Sequence, residues 1–126
     1  GTKPEGKLWT VQIENPNTDG SRSAYTNLKL TNKSMASSGN YRKFRIANDG
    51  QKYVHTINPK TGYATESNLL AATVIAELDC ADVDAYATSF MAMGLEKTKE
   101  FLESKPALKV ILIYANEKGE LTEFRN

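Results

Sequence analysis

The chain is predicted to fold as an α+β domain, with a mixed or antiparallel sheet and two consecutive helices. Three observations carry this. Leu69–Ala76 (LLAATVIA) and Ala107–Tyr114 (ALKVILIY) are apolar and β-branched enough to be buried strands. Between them lie two segments of helical composition, Ala81–Gly94 and Leu95–Ser104. Ahead of them come shorter alternating runs separated by turn residues, and strands followed by helices and strands again is the order of an α+β domain.

The first strand is expected over Leu8–Glu14, where Trp9, Val11 and Ile13 alternate with Leu8, Thr10 and Gln12 until Asn15-Pro16-Asn17 stops it. Ala24–Leu30 reads as a second, ended by Thr31, Asn32 and Lys33. Lys43–Asn48 and Gln51–Ile57 flank Asp49-Gly50, a dipeptide that favours the tight hairpin turn, so they read as a β-hairpin. On its second strand Tyr53, His55 and Ile57 share one face, and Asn58-Pro59-Lys60-Thr61-Gly62 then turns the chain away. In the helical segments Tyr86, Phe90 and Met93, then Leu95, Phe101 and Leu102, recur at about helical spacing. Gly94 reads as the break between them and Pro106 as the end of the second. Glu117-Lys118-Gly119-Glu120 is expected to turn into a short terminal strand.

At 126 residues the chain is the size of a single domain, 1–126, able to bury roughly two thirds of its unfolded surface. Sixteen basic and fifteen acidic residues leave a net charge of +1, which lacks the concentrated positive field of a nucleic-acid binder. The lone Cys80 can form neither an internal disulfide nor a Cys-rich zinc site. No apolar run approaches the roughly 20 residues that span a bilayer, so a soluble chain is expected. Gly1–Lys7 reads as a loop leading straight into a strand, which gives the expectation that the chain is a piece of something longer.

Several residues can carry chemistry. Asp84 and Thr88 are four apart, so on a helix a carboxylate and a hydroxyl project from one face, a donor pair suited to Mg²⁺ that shares its other positions with water and phosphate. Asp84 can equally favour the first helical turn through the macrodipole while Thr88 packs. Asp82 points about 200° around the helix from Asp84 and is expected to be solvated. His55, the only histidine, can act as base, acid or phosphate hydrogen-bond donor, or be a structural residue beside its turn. Thr61-Gly62 and Ser37-Ser38-Gly39 read as small, hydroxyl-bearing turns where a ligand's phosphate or ring can approach backbone amides, or as ordinary turns. Tyr41 and Tyr53 can stack on a flat ring, although strand tyrosines mostly cover core edges. Arg42, Lys43 and Arg45 read as a solvated basic face, and Cys80 has no second group marking it as a nucleophile.

Read in order, LWTVQIENP, SMASSGNYRKF, HTINPKTGYAT, LLAATVIAE and DAYATSFMAMG resemble the C-terminal half of the ApbE family, the FAD-dependent flavin transferases once called thiamine biosynthesis lipoproteins. The resemblance implies an enzyme that binds FAD with Mg²⁺ at its diphosphate. It passes FMN through its phosphate to a threonine or serine of an acceptor flavoprotein and releases AMP, while some members hydrolyse FAD to FMN and AMP. It implies Asp84 and Thr88 as metal ligands, His55 as an active-site residue, and Ser37, Ser38 and Gly39, with the Thr61-Gly62 turn, near the flavin nucleotide. It further implies a parent held at the periplasmic face of the inner membrane by a lipid anchor. The alternatives are FAD pyrophosphatase activity giving FMN and AMP, or a flavin- or nucleotide-binding module without catalysis. Departures from the family pattern are Ser37 where threonine is common, Val83 where alanine is usual and Tyr86 in place of a smaller aliphatic residue; none removes a ligand group. The family's glycine-rich, lysine-containing N-terminal segment has no counterpart in these residues, so the chain alone is expected to be inactive.

Overall fold

The computed structural model describes residues 1–41, 44–46, 48, 52–64 and 67–126, with the side chains of 44–46, 52 and 53 outside the description. Among these residues, two short antiparallel pairs and one four-stranded antiparallel sheet accompany two consecutive helices. The alternating Trp9–Glu14 segment forms β1, paired with β2 (Ala24–Leu30) from Trp9↔Leu30 to Ile13↔Thr26, with a register shift at Glu14. Burial along the apolar face of β1 grades from buried Ile13 to Trp9, which is 51% exposed and carries the Lys3 ammonium 5.3 Å from its ring centre. The expected shared face is there, but its first residue overhangs the core.

The four-stranded sheet runs β3 (Ser34–Gly39), β6 (Leu69–Ala76), β7 (Lys109–Ala115) and β8 (Leu121–Arg125) in spatial order. A short pair, β4 (Phe44–Ile46) with β5 (Lys52–Val54), lies between β3 and β6 in the chain. Of the expected Lys43–Asn48 and Gln51–Ile57 hairpin, Asn48 and residues 55–57 lie outside the two strands, while Lys43, Ala47 and Gln51 fall outside the described residues. Ile57 makes only an isolated bridge to Ala64, and His55 lies just past the end of β5 rather than on it. The Asp49-Gly50 turn, the Arg42, Lys43 and Arg45 cluster and the Tyr53 ring lie outside the described residues and side chains.

The central strands are buried on both faces, and period-two alternation sorts their side chains. Ala72, Val74 and Ala76 of β6, with Val110 and Leu112 of β7, join the main core beneath the helices. Ala71, Ile111 and Ile113 face the other way and pack with Ile13, Tyr25 and Leu28 of the β1–β2 ribbon. The sheet is thus sandwiched between helices and ribbon.

Helix α1 (Cys80–Met93) buries Val83, Ala87, Phe90 and Met91, a 3.6-residue stripe. Phe90 is fully buried, with ring centres of Tyr86 and Phe101 both 5.9 Å away; burying such a side chain stabilises the fold by about 1.5–3 kcal/mol. Gly94 ends the helix at φ 81°, ψ 175°, donating its N–H to the Phe90 carbonyl at 3.0 Å. Helix α2 (Leu95–Glu103) follows at once, burying Leu95, Thr98 and Leu102.

One expectation is corrected. Ser37-Ser38-Gly39 is not a turn: it is the end of β3, paired in register with Thr73, Ala72 and Ala71. The six-residue run SMASSG has neither β-branched residues nor apolar alternation, so its extended state comes from pairing with β6 rather than from local preference.

Candidate functional site

The phase of β3 follows from one hydrogen bond. Asn40 N–H donates to the Leu70 carbonyl at 3.0 Å, so the position after Gly39 points its backbone at β6. Antiparallel ladders alternate, which directs the N–H and C=O groups of Gly39 and Ser37 away from β6, onto the edge of the sheet. Side chains alternate as well. Ser37 Oγ lies 2.8 Å from Thr73 Oγ1 across the strand pair, whereas Ser38 Oγ lies 3.1 Å from Thr88 Oγ1 of α1. β3 therefore presents small side chains, Ala36 and Ser38, to the helix side and backbone groups to its edge.

His55 reaches the same place through its neighbour. Thr56 Oγ1 donates to Asn40 Oδ1 at 2.9 Å, and Asn40, only 4% exposed, is itself anchored to β6. This buried amide ties the segment after β5 to the end of β3. On the other side the Tyr41 hydroxyl donates to Glu14 Oε2 at 3.3 Å, bringing in the last residue of β1.

The result is a cleft of about 420 Å³ lined by Ser37, Ser38, Gly39 and Tyr41, with His55 and Thr56 on one wall, Glu14 on another and Thr88 from α1. His55 is exposed in it. Of the residues singled out in the sequence, the structure gathers Ser37, Ser38, Gly39, Tyr41, His55 and Thr88 here. Asp84, exposed one helical turn before Thr88, is not part of the lining, and neither are Thr61 and Gly62. Asp82 is exposed, as expected, and lines a different depression, with Asn32, Lys33 and Asp79. Cys80 is the first residue of α1 and exposed.

The turn after His55 is closed on itself. Lys60 N–H donates to Asn58 Oδ1, Gly62 N–H (φ 74°) to the Asn58 carbonyl and Tyr63 N–H to Thr61 Oγ1. Its amide donors are thereby paired within the turn, which fixes its shape and leaves Tyr63, 77% exposed, at the surface.

Glu14, Asn40 and Thr56 were not singled out by sequence reasoning. Each joins the cleft through a hydrogen bond or wall shared with residues distant in the chain, and no local pattern marks them. Chemically, the cleft and the adjoining helix face combine an imidazole, a carboxylate and several hydroxyls. Among the described residues no three His, Cys, Asp or Glu side chains form a metal-binding group. A cation here would take hard oxygens from Asp84 and Thr88 and complete its shell with water and substrate, the pattern that suits Mg²⁺.

An antiparallel α+β domain with a polar, hydroxyl-rich cleft at a sheet edge, beside a histidine and a helix bearing Asp84 and Thr88, is the class that the fold and the site define. The chain belongs to the ApbE family, whose model matches residues 1–112. It is 37% identical over 123 residues to an FAD:protein FMN transferase of Haemophilus influenzae, covering 98% of this chain and 35% of that protein. It is 34% identical over 113 residues to one of Escherichia coli, covering 90% of this chain and 31% of that protein. The solved flavin transferase ApbE of Vibrio cholerae superposes on all of this chain with a TM-score of 0.80 at 28% identity, over 38% of its own length. The chain therefore spans 31% to 38% of the length of these relatives.

Proposed function

We propose that this chain is the C-terminal portion of a Mg²⁺-dependent FAD:protein FMN transferase. In the reaction a threonine or serine hydroxyl of an acceptor flavoprotein attacks the FMN phosphorus of FAD. A new phosphoester bond forms, the bond to the AMP phosphate breaks, the hydroxyl proton is taken up by a base and AMP leaves. The reading rests on family membership together with one observation: the fold brings Ser38, Thr88 and His55 to one cleft although they are far apart in sequence.

Asp84 and Thr88 would hold Mg²⁺, which when bound offsets negative charge on the diphosphate and its leaving group. His55 takes the proton of the attacking hydroxyl, since imidazole is suited to proton transfer near neutral pH. The edge of β3 at Ser37, Ser38 and Gly39 lies against the nucleotide, with the edge-facing amides of Ser37 and Gly39 as donors to its oxygens. The Thr61-Gly62 turn, closed on itself just after His55 in the chain, is put near the nucleotide by the resemblance alone. Attachment of the parent to the cell envelope by a lipid anchor belongs to the same proposal and rests on resemblance alone.

The experiment is to incubate the full-length protein with FAD and Mg²⁺, with and without an acceptor peptide, and to quantify AMP, free FMN and peptide-bound flavin. Transfer predicts AMP in step with peptide-bound flavin. Equal AMP and free FMN regardless of acceptor would assign FAD hydrolysis instead, and retained FAD with no product a binding module. The 126-residue chain alone, spanning 35% of its Haemophilus relative, is expected to show no turnover; a rate matching the parent's would contradict this.

A further inference from the structure

A threonine inside a helix ordinarily donates its hydroxyl to the carbonyl one turn earlier. Thr98 does so, its Oγ1 donating to the Gly94 carbonyl at 2.7 Å. Thr88 is held differently. Its hydroxyl partner among the described residues is Ser38 Oγ at 3.1 Å, on β3 and 50 positions away in the chain.

That difference bears on what the Thr88 oxygen can do. A hydroxyl carries one proton and two lone pairs, and to serve a cation it must send the proton elsewhere. Ser38 is placed to accept it. Its position is fixed by the β3 register opposite Ala72, so the contact restrains rotation of the Thr88 side chain, with both oxygens at the cleft wall. Either hydroxyl can be the donor in this contact; with Thr88 donating, Ser38 Oγ keeps its own proton for water or for a nucleotide oxygen.

We propose that Ser38 is a positioning residue: it accepts the Thr88 hydroxyl proton and thereby aims the Thr88 oxygen at the metal. This rests on the proposal that Thr88 is a metal ligand, and it adds an outer partner to that ligand. Such partners orient ligating atoms, and their loss typically weakens metal binding by roughly 10–100-fold.

The test uses the full-length protein and Mn²⁺ as a spectroscopic probe, with free Mn²⁺ measured by electron paramagnetic resonance in the absence of FAD. Ser38→Ala, Ser38→Thr, Thr88→Val and the double variant Ser38→Ala/Thr88→Val are compared after circular dichroism confirms folding. The expected result is Mn²⁺ binding weakened roughly 10-fold in Ser38→Ala, restored in Ser38→Thr, and weakened in Thr88→Val with no further loss in the double variant. Unchanged binding in Ser38→Ala, with weakened binding in Thr88→Val, would overturn the positioning role and leave the metal reading standing. So would losses that simply add in the double variant. Unchanged binding in Thr88→Val would overturn the metal reading and the positioning role together.

Discussion

The ring of Tyr41 lies so close over Gly39 that a side-chain carbon at position 39 would collide with Tyr41 Cε1 and fall 2.8 Å from Tyr41 Cδ1 and 3.2 Å from the Leu70 carbonyl oxygen. Glycine is therefore required here for space, and the same ring carries the hydroxyl that meets Glu14. Gly39→Ala is expected to push Tyr41 out of its packing against Ile13 and Ala71 and to destabilise the fold by about 1–3 kcal/mol, the usual cost of overpacking. Urea unfolding checks this, and an unchanged midpoint would contradict it.

Gly94 is required for a different reason. Its φ of 81° and ψ of 175° lie in a region that side chains essentially exclude, and it joins α1 to α2 with no intervening loop. Gly94→Ala should cost about 1–3 kcal/mol in strain, read as a lower thermal midpoint with both helices loosened. A variant as stable as the parent chain would show that the junction relaxes freely.

Two buried residues should respond unequally. Phe90→Ala removes the centre of the Tyr86–Phe90–Phe101 cluster and is expected to cost about 3–5 kcal/mol. Thr73→Val keeps the shape of a side chain that is 1% exposed and removes only its bond to Ser37, whose exposed hydroxyl can turn to water. The expected cost is below about 1.5 kcal/mol. Equal losses in the two variants by denaturant titration would contradict this difference.

β6 was legible because it is a continuous apolar, β-branched run, and the two helices because of their composition and the roughly helical spacing of their large apolar residues. β2 and β6 span the expected residues, and α1 begins one residue early, at Cys80. β3 was not legible, since Ser34–Gly39 is made of small residues whose extended state is imposed by β6. For the site, the helical spacing of Asp84 and Thr88 and the lone histidine stood out, but the Ser38–Thr88 contact and the Asn40–Thr56 tether are tertiary. Glu14 was invisible for the same reason: it enters the cleft only once the β1–β2 ribbon covers the sheet.

Tyr25 on β2 is held above the ordinary tyrosine value of 10.0, first by burial and then by the Glu123 carboxylate, with Arg125 opposing. The fold thus favours the neutral phenol. Below pH 10.0 that stabilisation is fully present, and it is lost as pH rises through the raised folded value, because the unfolded chain ionises first. Tyr25→Phe should show a shallower loss of stability on the alkaline side than the wild type. Identical slopes in denaturant titrations across that range would contradict this.

On the proposed function, flavin transfer takes place at the helix face bearing Asp84, beside the cleft. The most direct measurement is the yield of covalent flavin on an acceptor peptide, by mass spectrometry, for the full-length protein and its Asp84→Ala variant at saturating FAD and Mg²⁺. Asp84 is exposed, so the variant should fold with unchanged circular dichroism. Covalent flavin is expected with the wild type and essentially none with the variant; a folded variant that flavinylates the peptide at the wild-type rate would remove Asp84 from the site.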